Sequence, residues 1–94
     1  MNKTIVPANT IEQNRFTTIS DFKWCMHCGG EVEFLWKGVT YNITHYNGNI
    51  AISHSCRQDT EMQRKTADEI LEYMVGSDRL RDVITQVTVL DRTI

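Results

Sequence analysis

The sequence predicts an α+β fold with an N-terminal helix, a three-stranded antiparallel meander, two C-terminal helices and a short fourth strand or extended segment in the tail. Three observations lead to this prediction. Apolar residues recur at helical spacing after Thr18, apolar and polar residues alternate from residue 31 to 56 with two-residue turns between the runs, and a helix-capping pattern opens at Thr66. Because 94 residues supply one core, residues 18–94 are expected to form a single domain.

The N-terminal part divides at Thr18. Residues 1–17 carry apolar side chains without a sustained period, so we interpret them as an arm that is loose or docks late. Thr18 can accept the backbone N–H of Asp21, whose charge favours a helix N-terminus, and this predicts a helix from Thr18 to Cys28. Gly29 and Gly30 end it, since glycine adopts the left-handed conformation that follows many helices.

The helical period of this first segment separates two faces. Ile19, Phe22 and Met26 fall on one side at about 100° per residue, which predicts that they face the core. Trp24 and His27 fall on the other side and are expected to point away from it.

A β-hairpin is predicted where "EVEFLW" and "VTYNITH" flank Lys37-Gly38. With that turn, Trp36 lies opposite Val39, Phe34 opposite Tyr41 and Val32 opposite Ile43. The three pairs place six large apolar side chains on one surface, and a slip of one residue would scatter them.

Asn47-Gly48 predicts the second hairpin, because this dipeptide favours the tight turn that matches strand twist. The register then pairs His45 with Ile50 and Ile43 with Ile52. Continuing the third strand in the same register places His54 and Cys56 on the inner surface.

The C-terminal third is predicted to be helical. After a polar loop, "RQDTEMQRK", Thr66 and Glu69 form a capping box, and "ADEILEYMV" is expected to continue as a helix to Gly76. Its core-facing stripe is predicted to contain the following residues: Ala67, Ile70, Leu71 and Met74. Ser77 can cap a second helix, "DRLRDVIT", and the alternation in "QVTVLDRTI" predicts the strand or extended tail.

Composition limits the class of protein. The chain is 40% hydrophobic and 23% charged, with one proline, as expected for a globular domain. A formal net charge of -2 disfavours nonspecific binding to nucleic acid or anionic membranes, and direct nucleic-acid binding is not expected. No apolar run reaches the roughly 18 residues of a membrane span, and the first ten residues lack the apolar core of a signal peptide. These features predict a cytoplasmic protein.

Three cysteines cannot all pair within one chain, so reduced thiols or a metal are expected. Cys25 and Cys28 have the spacing of half a structural zinc site, and His54 with Cys56 would complete four ligands if the first helix crosses the third strand. We prefer the simpler interpretation, in which Cys25 and Cys56 are small buried side chains, Cys28 ends a helix and the histidines bind no metal. A redox pair is disfavoured because the reactive cysteine of such a pair normally precedes a helix.

No catalytic motif is present in the sequence, and an enzyme is not expected. His54 and Cys56 show only the alternation of a strand, which does not by itself indicate a nucleophile and its base. Asp68, Glu69 and Glu72 form an acidic helix face. We interpret this face as a solvated surface that can dock on a basic groove of a partner protein.

The segments "GGEVEFLWKGVTYNIT" and "TADEILEYMVGSDRLRDVITQVTVLDRTI" resemble small uncharacterised proteins encoded in phages and prophages of Firmicutes, over residues 18–94. The resemblance covers residues that define the fold and brings no functional positions with it. It implies a small interaction protein that inhibits a bacterial defence enzyme by binding it, as anti-CRISPR proteins bind an effector nuclease.

A small-ligand module, such as one that binds a nucleotide signal, is the alternative function. It requires Arg or Lys side chains around a pocket. Arg79 and Arg81 would diverge by about 200° if both lay on one helix, and this favours the protein inhibitor.

Overall fold

A computed structural model describes residues 14–94, so most of the predicted arm lies outside the described residues. The described elements start with helix α1 (Ile19–His27), which is followed by the strands of a meander. These strands are, in chain order, β1 (Val32–Trp36), β2 (Val39–Tyr46), β3 (Asn49–His54) and β4 (Arg57–Arg64). The C-terminal elements are α2 (Ala67–Ile70), β5 (Met74–Val75), β6 (Asp78–Arg79), α3 (Leu80–Val83) and β7 (Thr88–Arg92).

The predicted fold class is wrong, because the described chain is mostly β. A five-stranded antiparallel sheet, in the order β4-β3-β2-β1-β7, is accompanied by a two-stranded sheet of β5 and β6. Within residues 14–94, α1 is the one helix of seven residues or more. The two predicted C-terminal helices are reduced to single turns of four residues each.

The central hairpins follow the predicted register. Phe34 lies opposite Tyr41, and Ile43 lies opposite Ile52, so the apolar side chains share one face of the sheet. Asn47 has a φ of 54° and Gly48 a φ of 77°, which is the left-handed pair that a tight hairpin turn requires.

Strand β4 occupies the segment that was predicted to be a polar loop. Ile52 faces Met62 and Ile50 faces Arg64, after an irregularity in the register near His54. The polar composition of this segment predicts a loop, but β4 is an edge strand and most of its side chains reach solvent. Charged side chains are common on such edges, where they oppose pairing with other chains.

The helix predicted to reach Gly76 ends early. Thr66 and Glu69 form the predicted capping box, but the N–H groups of Glu72 and Tyr73 already bond three residues back, which tightens and closes the turn. The carbonyl oxygen of Tyr73 then accepts the N–H of Leu80 at 2.8 Å. This bond across the following hairpin takes the place of further helical bonds. The prediction that Met74 faces the core is wrong, because its side chain is 52% exposed.

The second predicted C-terminal helix is shortened by the small hairpin. Asp78 and Arg79 pair with β5, so the segment after Ser77 starts as a strand. Arg79 precedes α3 without a side-chain cap, and Ser77 does not cap it. The apolar residues Leu80, Val83 and Ile84 are nevertheless buried.

The tail forms a strand on the sheet. β7 pairs with β1, and Val89 lies opposite Phe34 beyond a bulge between Glu33 and Phe34. Both Val89 and Phe34 are fully buried, so the tail completes the core beneath the sheet.

Helix α1 covers the inner face of the sheet. Thr18 accepts the N–H of Asp21 at 3.0 Å, as predicted, and the buried side of the helix carries Phe22 and Met26. Phe16 is fully buried and contacts Phe22 edge to face at 5.3 Å. The end of the predicted arm that the structure describes is therefore packed into the core.

Among residues 14–94, no helix has the length and apolar character needed to cross a membrane.

Candidate partner-binding groove

A groove of about 850 Å³ lies between α1, the β2–β3 hairpin and the chain entering α2. The two hairpin strands come from one continuous stretch, whereas α1 and the start of α2 are brought beside it by packing on the sheet. Met26 and Ile50 line the groove and are almost completely buried, so they form an apolar floor. We call this feature the Trp24 groove, after its most exposed aromatic residue.

Helix α1 supplies the aromatic wall of the Trp24 groove. Burial of Phe22, Cys25 and Met26 fixes the rotation of the helix, and this directs Trp24 outwards as the helical period predicted. Trp24 is 60% exposed, and its ring lies 5.7 Å from that of His27 with a tilt of 30°. A large apolar ring is thus held in solvent by a well-packed helix.

The β2–β3 hairpin supplies the opposite wall. The imidazole Nε2 of His45 is 2.8 Å from the carbonyl oxygen of Gly30, which joins the hairpin to the end of α1. Tyr46 is exposed, and its hydroxyl donates to Glu61 on β4 at 2.8 Å. This bond to a carboxylate raises the pKa of Tyr46. The bonds of His45 and Tyr46 hold the hairpin wall in position.

The charged residues of the groove stand at its rim. Lys23 forms an ion pair with Asp68 at 3.1 Å, and Arg81 lies 3.7 Å from the same carboxylate. Lys65 also lines the groove and forms no ion pair within residues 14–94. The described lining residues thus include two lysines and one aspartate, an excess of one positive charge, although the whole chain has a formal charge of -2.

The predicted acidic surface is engaged in internal contacts. Asp68 lines the Trp24 groove and pairs with Lys23, whereas the side chain of Glu69 accepts the N–H of Thr66 in the capping box. The carboxylate of Glu72 is 3.1 Å from Arg81, and it also meets a second arginine on β6. Nearby cations thus offset much of the charge that this surface was expected to present to a partner.

The arginines of this region do not diverge as helical spacing predicted. Arg79 lies on β6 and Arg81 on α3, and both guanidinium groups reach Glu72, at 3.6 and 3.1 Å. They form a cluster around a carboxylate and do not line the groove.

The four predicted zinc ligands occupy different surroundings. Cys25 is fully buried, and this burial raises the pKa of its thiol, while Cys28 is exposed at the end of α1. Strand β3 ends at His54, so Cys56 lies in the following turn and is exposed rather than facing inwards. The backbone N–H of Cys56 points to Nδ1 of His54 at 3.4 Å, so these two residues are neighbours.

No group of three or more His, Cys, Asp or Glu side chains suited to one metal ion occurs in residues 14–94. The described structure therefore does not gather Cys25, Cys28, His54 and Cys56 into one cluster. The structural zinc stays a prediction of the cysteine spacing, and direct metal analysis of the purified protein would test it.

Sequence reasoning placed Trp24 on the exposed side of the helix but did not identify the groove. The signal was an isolated tryptophan on the polar side of an amphipathic helix. The hairpin wall and Lys65 have no comparable signal, because they become neighbours of Trp24 only in the folded chain.

Comparison of the chain with protein-family models, curated proteins and solved structures gave no match.

Proposed function

We propose that this protein is a cytoplasmic binding protein that inhibits a bacterial defence enzyme by occupying a surface of that enzyme through the Trp24 groove. The observation that carries the proposal is the exposure of Trp24, 60%, beside an apolar floor. The resemblance to small phage proteins supplies the class of partner, and a CRISPR effector nuclease is the example we favour. Catalysis is not part of the proposal.

The energetics of association favour this use of Trp24. Tryptophan is enriched among the few interface residues whose truncation costs more than about 2 kcal/mol, since its large ring excludes water from a wide area. On a rigid helix, binding has to order only the two side-chain torsions of the ring and no flexible backbone. Trp24 meets both conditions, because α1 is packed on the sheet through Phe22 and Met26.

A second candidate function is binding of a small ligand such as a nucleotide. The volume of the groove, about 850 Å³, supports it, because ligand sites commonly enclose about 300 to 1,000 Å³. Lys23 and Lys65 also stand where they can meet an anionic group. The protein partner is preferred because a flat, exposed ring at the rim of an open groove suits a broad contact surface.

Site-specific photocrosslinking tests the proposal. A photoreactive phenylalanine analogue replaces Trp24 in one variant and Met74 in another, because Met74 is similarly exposed but does not line the groove. We expect position 24 to crosslink to one bacterial nuclease in cells, and we expect the unmodified protein to inhibit cleavage by that purified nuclease. The same adducts from both positions, or a crosslinked protein whose activity is unaffected, would contradict the proposal.

A further inference from the structure

The structure also indicates the chemistry of the partner segment. We infer that the Trp24 groove takes an acidic peptide segment with one aromatic or long aliphatic side chain, which packs between Trp24 and the apolar floor. This inference rests on the proposed function, because it assumes that the occupant is part of a protein.

The sign of the charge follows from the ion pairs at the rim. Among the described residues that line the groove, Asp68 is the one carboxylate, and it is already approached by Lys23 at 3.1 Å and by Arg81 at 3.7 Å. Lys65 remains without an ion pair within the described residues. A carboxylate of the partner would gain from Lys65, whereas a partner lysine would face it with like charge.

The need for an apolar anchor follows from the floor. The side chains of Met26 and Ile50 offer a polar occupant no hydrogen-bond donor and only the weakly accepting sulfur of Met26, and Trp24 adds the face of a large ring. A phenylalanine, tryptophan or leucine side chain would displace water from this floor and gain burial of apolar area. Carboxylates on the flanking residues of the same segment would then lie towards the rim.

The inferred partner differs from the one that the acidic surface predicts. Docking of Asp68, Glu69 and Glu72 on a basic groove requires these carboxylates to leave their present partners, among them Lys23 and Arg81. An acidic segment in the Trp24 groove leaves every one of these ion pairs in place. The acidic occupant is therefore compatible with the ion pairs that the structure shows.

Selection from a display library of random dodecapeptides on the immobilised protein tests the inference. We expect enriched peptides to carry net negative charge and an aromatic or leucine residue, and to be lost when selection is repeated on Trp24→Ala. For a synthetic peptide from the enriched set, Lys65→Glu is expected to weaken binding by about tenfold or more. The matched charge reversal Arg57→Glu, at an exposed position of β4 that does not line the groove, is expected to leave the affinity unchanged.

The possible results separate this inference from the proposed function. Enrichment of basic peptides that still require Trp24 overturns the acidic occupant and leaves a protein-binding groove. Failure to enrich any Trp24-dependent peptide overturns the peptide occupant, whereas the proposed function is decided separately by crosslinking from position 24. Displacement of an enriched peptide by ATP, GTP or a single-stranded oligonucleotide through the same groove also contradicts the protein occupant and favours the small-ligand or nucleic-acid alternative.

Discussion

Arg92 and Asp21 form an ion pair, 3.2 Å between Nη2 and Oδ1, that joins the last strand of the sheet to the first turn of α1. The guanidinium group also lies 4.3 Å from the ring centroid of Phe16 and donates to the carbonyl oxygen of Asn14 at 3.0 Å. The Arg92 side chain is only 13% exposed. Arg92 therefore joins the C-terminal strand β7 to α1, the helix that carries Trp24, and to the residues just before α1.

Replacement of Arg92 by methionine is expected to lower the free energy of unfolding by about 2 kcal/mol, because it leaves the half-buried carboxylate of Asp21 and a backbone carbonyl without their charged donor. Urea denaturation measures the change. Arg57→Met removes an exposed ion pair with Asp59 and serves as the control, with an almost unchanged midpoint. Equal losses in the two variants would show that the Arg92 contacts do not stabilise the fold.

Truncation of Phe34 to alanine is expected to cost about 3 to 5 kcal/mol, since the ring is fully buried and stacks on Tyr41 at 5.2 Å. Leu35→Ala changes the next residue of β1, which points to the opposite face and is only half-buried, so its loss should be clearly smaller. Thermal or urea denaturation compares them. A larger loss for Leu35→Ala would reverse the assigned faces of the sheet.

Acid is expected to weaken the contact between the β1–β2 turn and the β5–β6 hairpin. The indole N–H of Trp36 donates to Asp78 at 2.9 Å, and this bond, with Lys37 at 3.0 Å, lowers the pKa of Asp78 below its ordinary 3.8. A lowered folded-state pKa stabilises the protein above the unfolded-state pKa, and the stabilisation disappears as the pH falls through the folded-state value.

The measurement for Asp78 is urea denaturation at a series of pH values. Asp78→Asn should be less stable than the wild type at neutral pH, and the difference should shrink as the pH falls below about 4. A difference that stays constant over this range would show that the charge of Asp78 does not stabilise the native state.

The predicted zinc is tested by elemental analysis of untagged protein purified without added metal. The cysteine spacing predicts one zinc per chain, which is lost in Cys28→Ser together with a lower melting temperature. Cys56→Ser should have the same effect, because Cys56 is another predicted ligand of the same ion. Metal-free wild-type protein whose melting is unaltered by a chelator would contradict the zinc site.

The meander was predictable because its information is local. Each of its first two turns occupies two residues, and the pairing of Phe34 with Tyr41 and of Ile43 with Ile52 follows once those turns are placed. Helix α1 was predictable for the same reason, since Thr18 and the glycines after Cys28 mark its ends.

The C-terminal half depends on contacts that the sequence does not display. The N–H groups of Leu80 and Arg81 bond to the carbonyl oxygens of Tyr73 and Leu71, and these bonds favour a small hairpin over continued helix. The residues around Gly76 also fit a helix end followed by a new cap, because both structures use glycine and small polar residues. Strand β4 was missed because an exposed edge strand has the composition of a loop.

The proposed contact between the Trp24 groove and a bacterial defence nuclease can be tested directly. The most direct test measures how inhibition of a purified target nuclease depends on the concentration of the inhibitor. The wild type, Trp24→Ala and Met74→Ala are compared, and the thermal midpoint of each variant verifies that it is folded. We expect Trp24→Ala to require at least about tenfold more protein for half-inhibition, as loss of a central tryptophan does at other interfaces, and Met74→Ala to match the wild type. Inhibition by Trp24→Ala at wild-type concentrations would contradict the account.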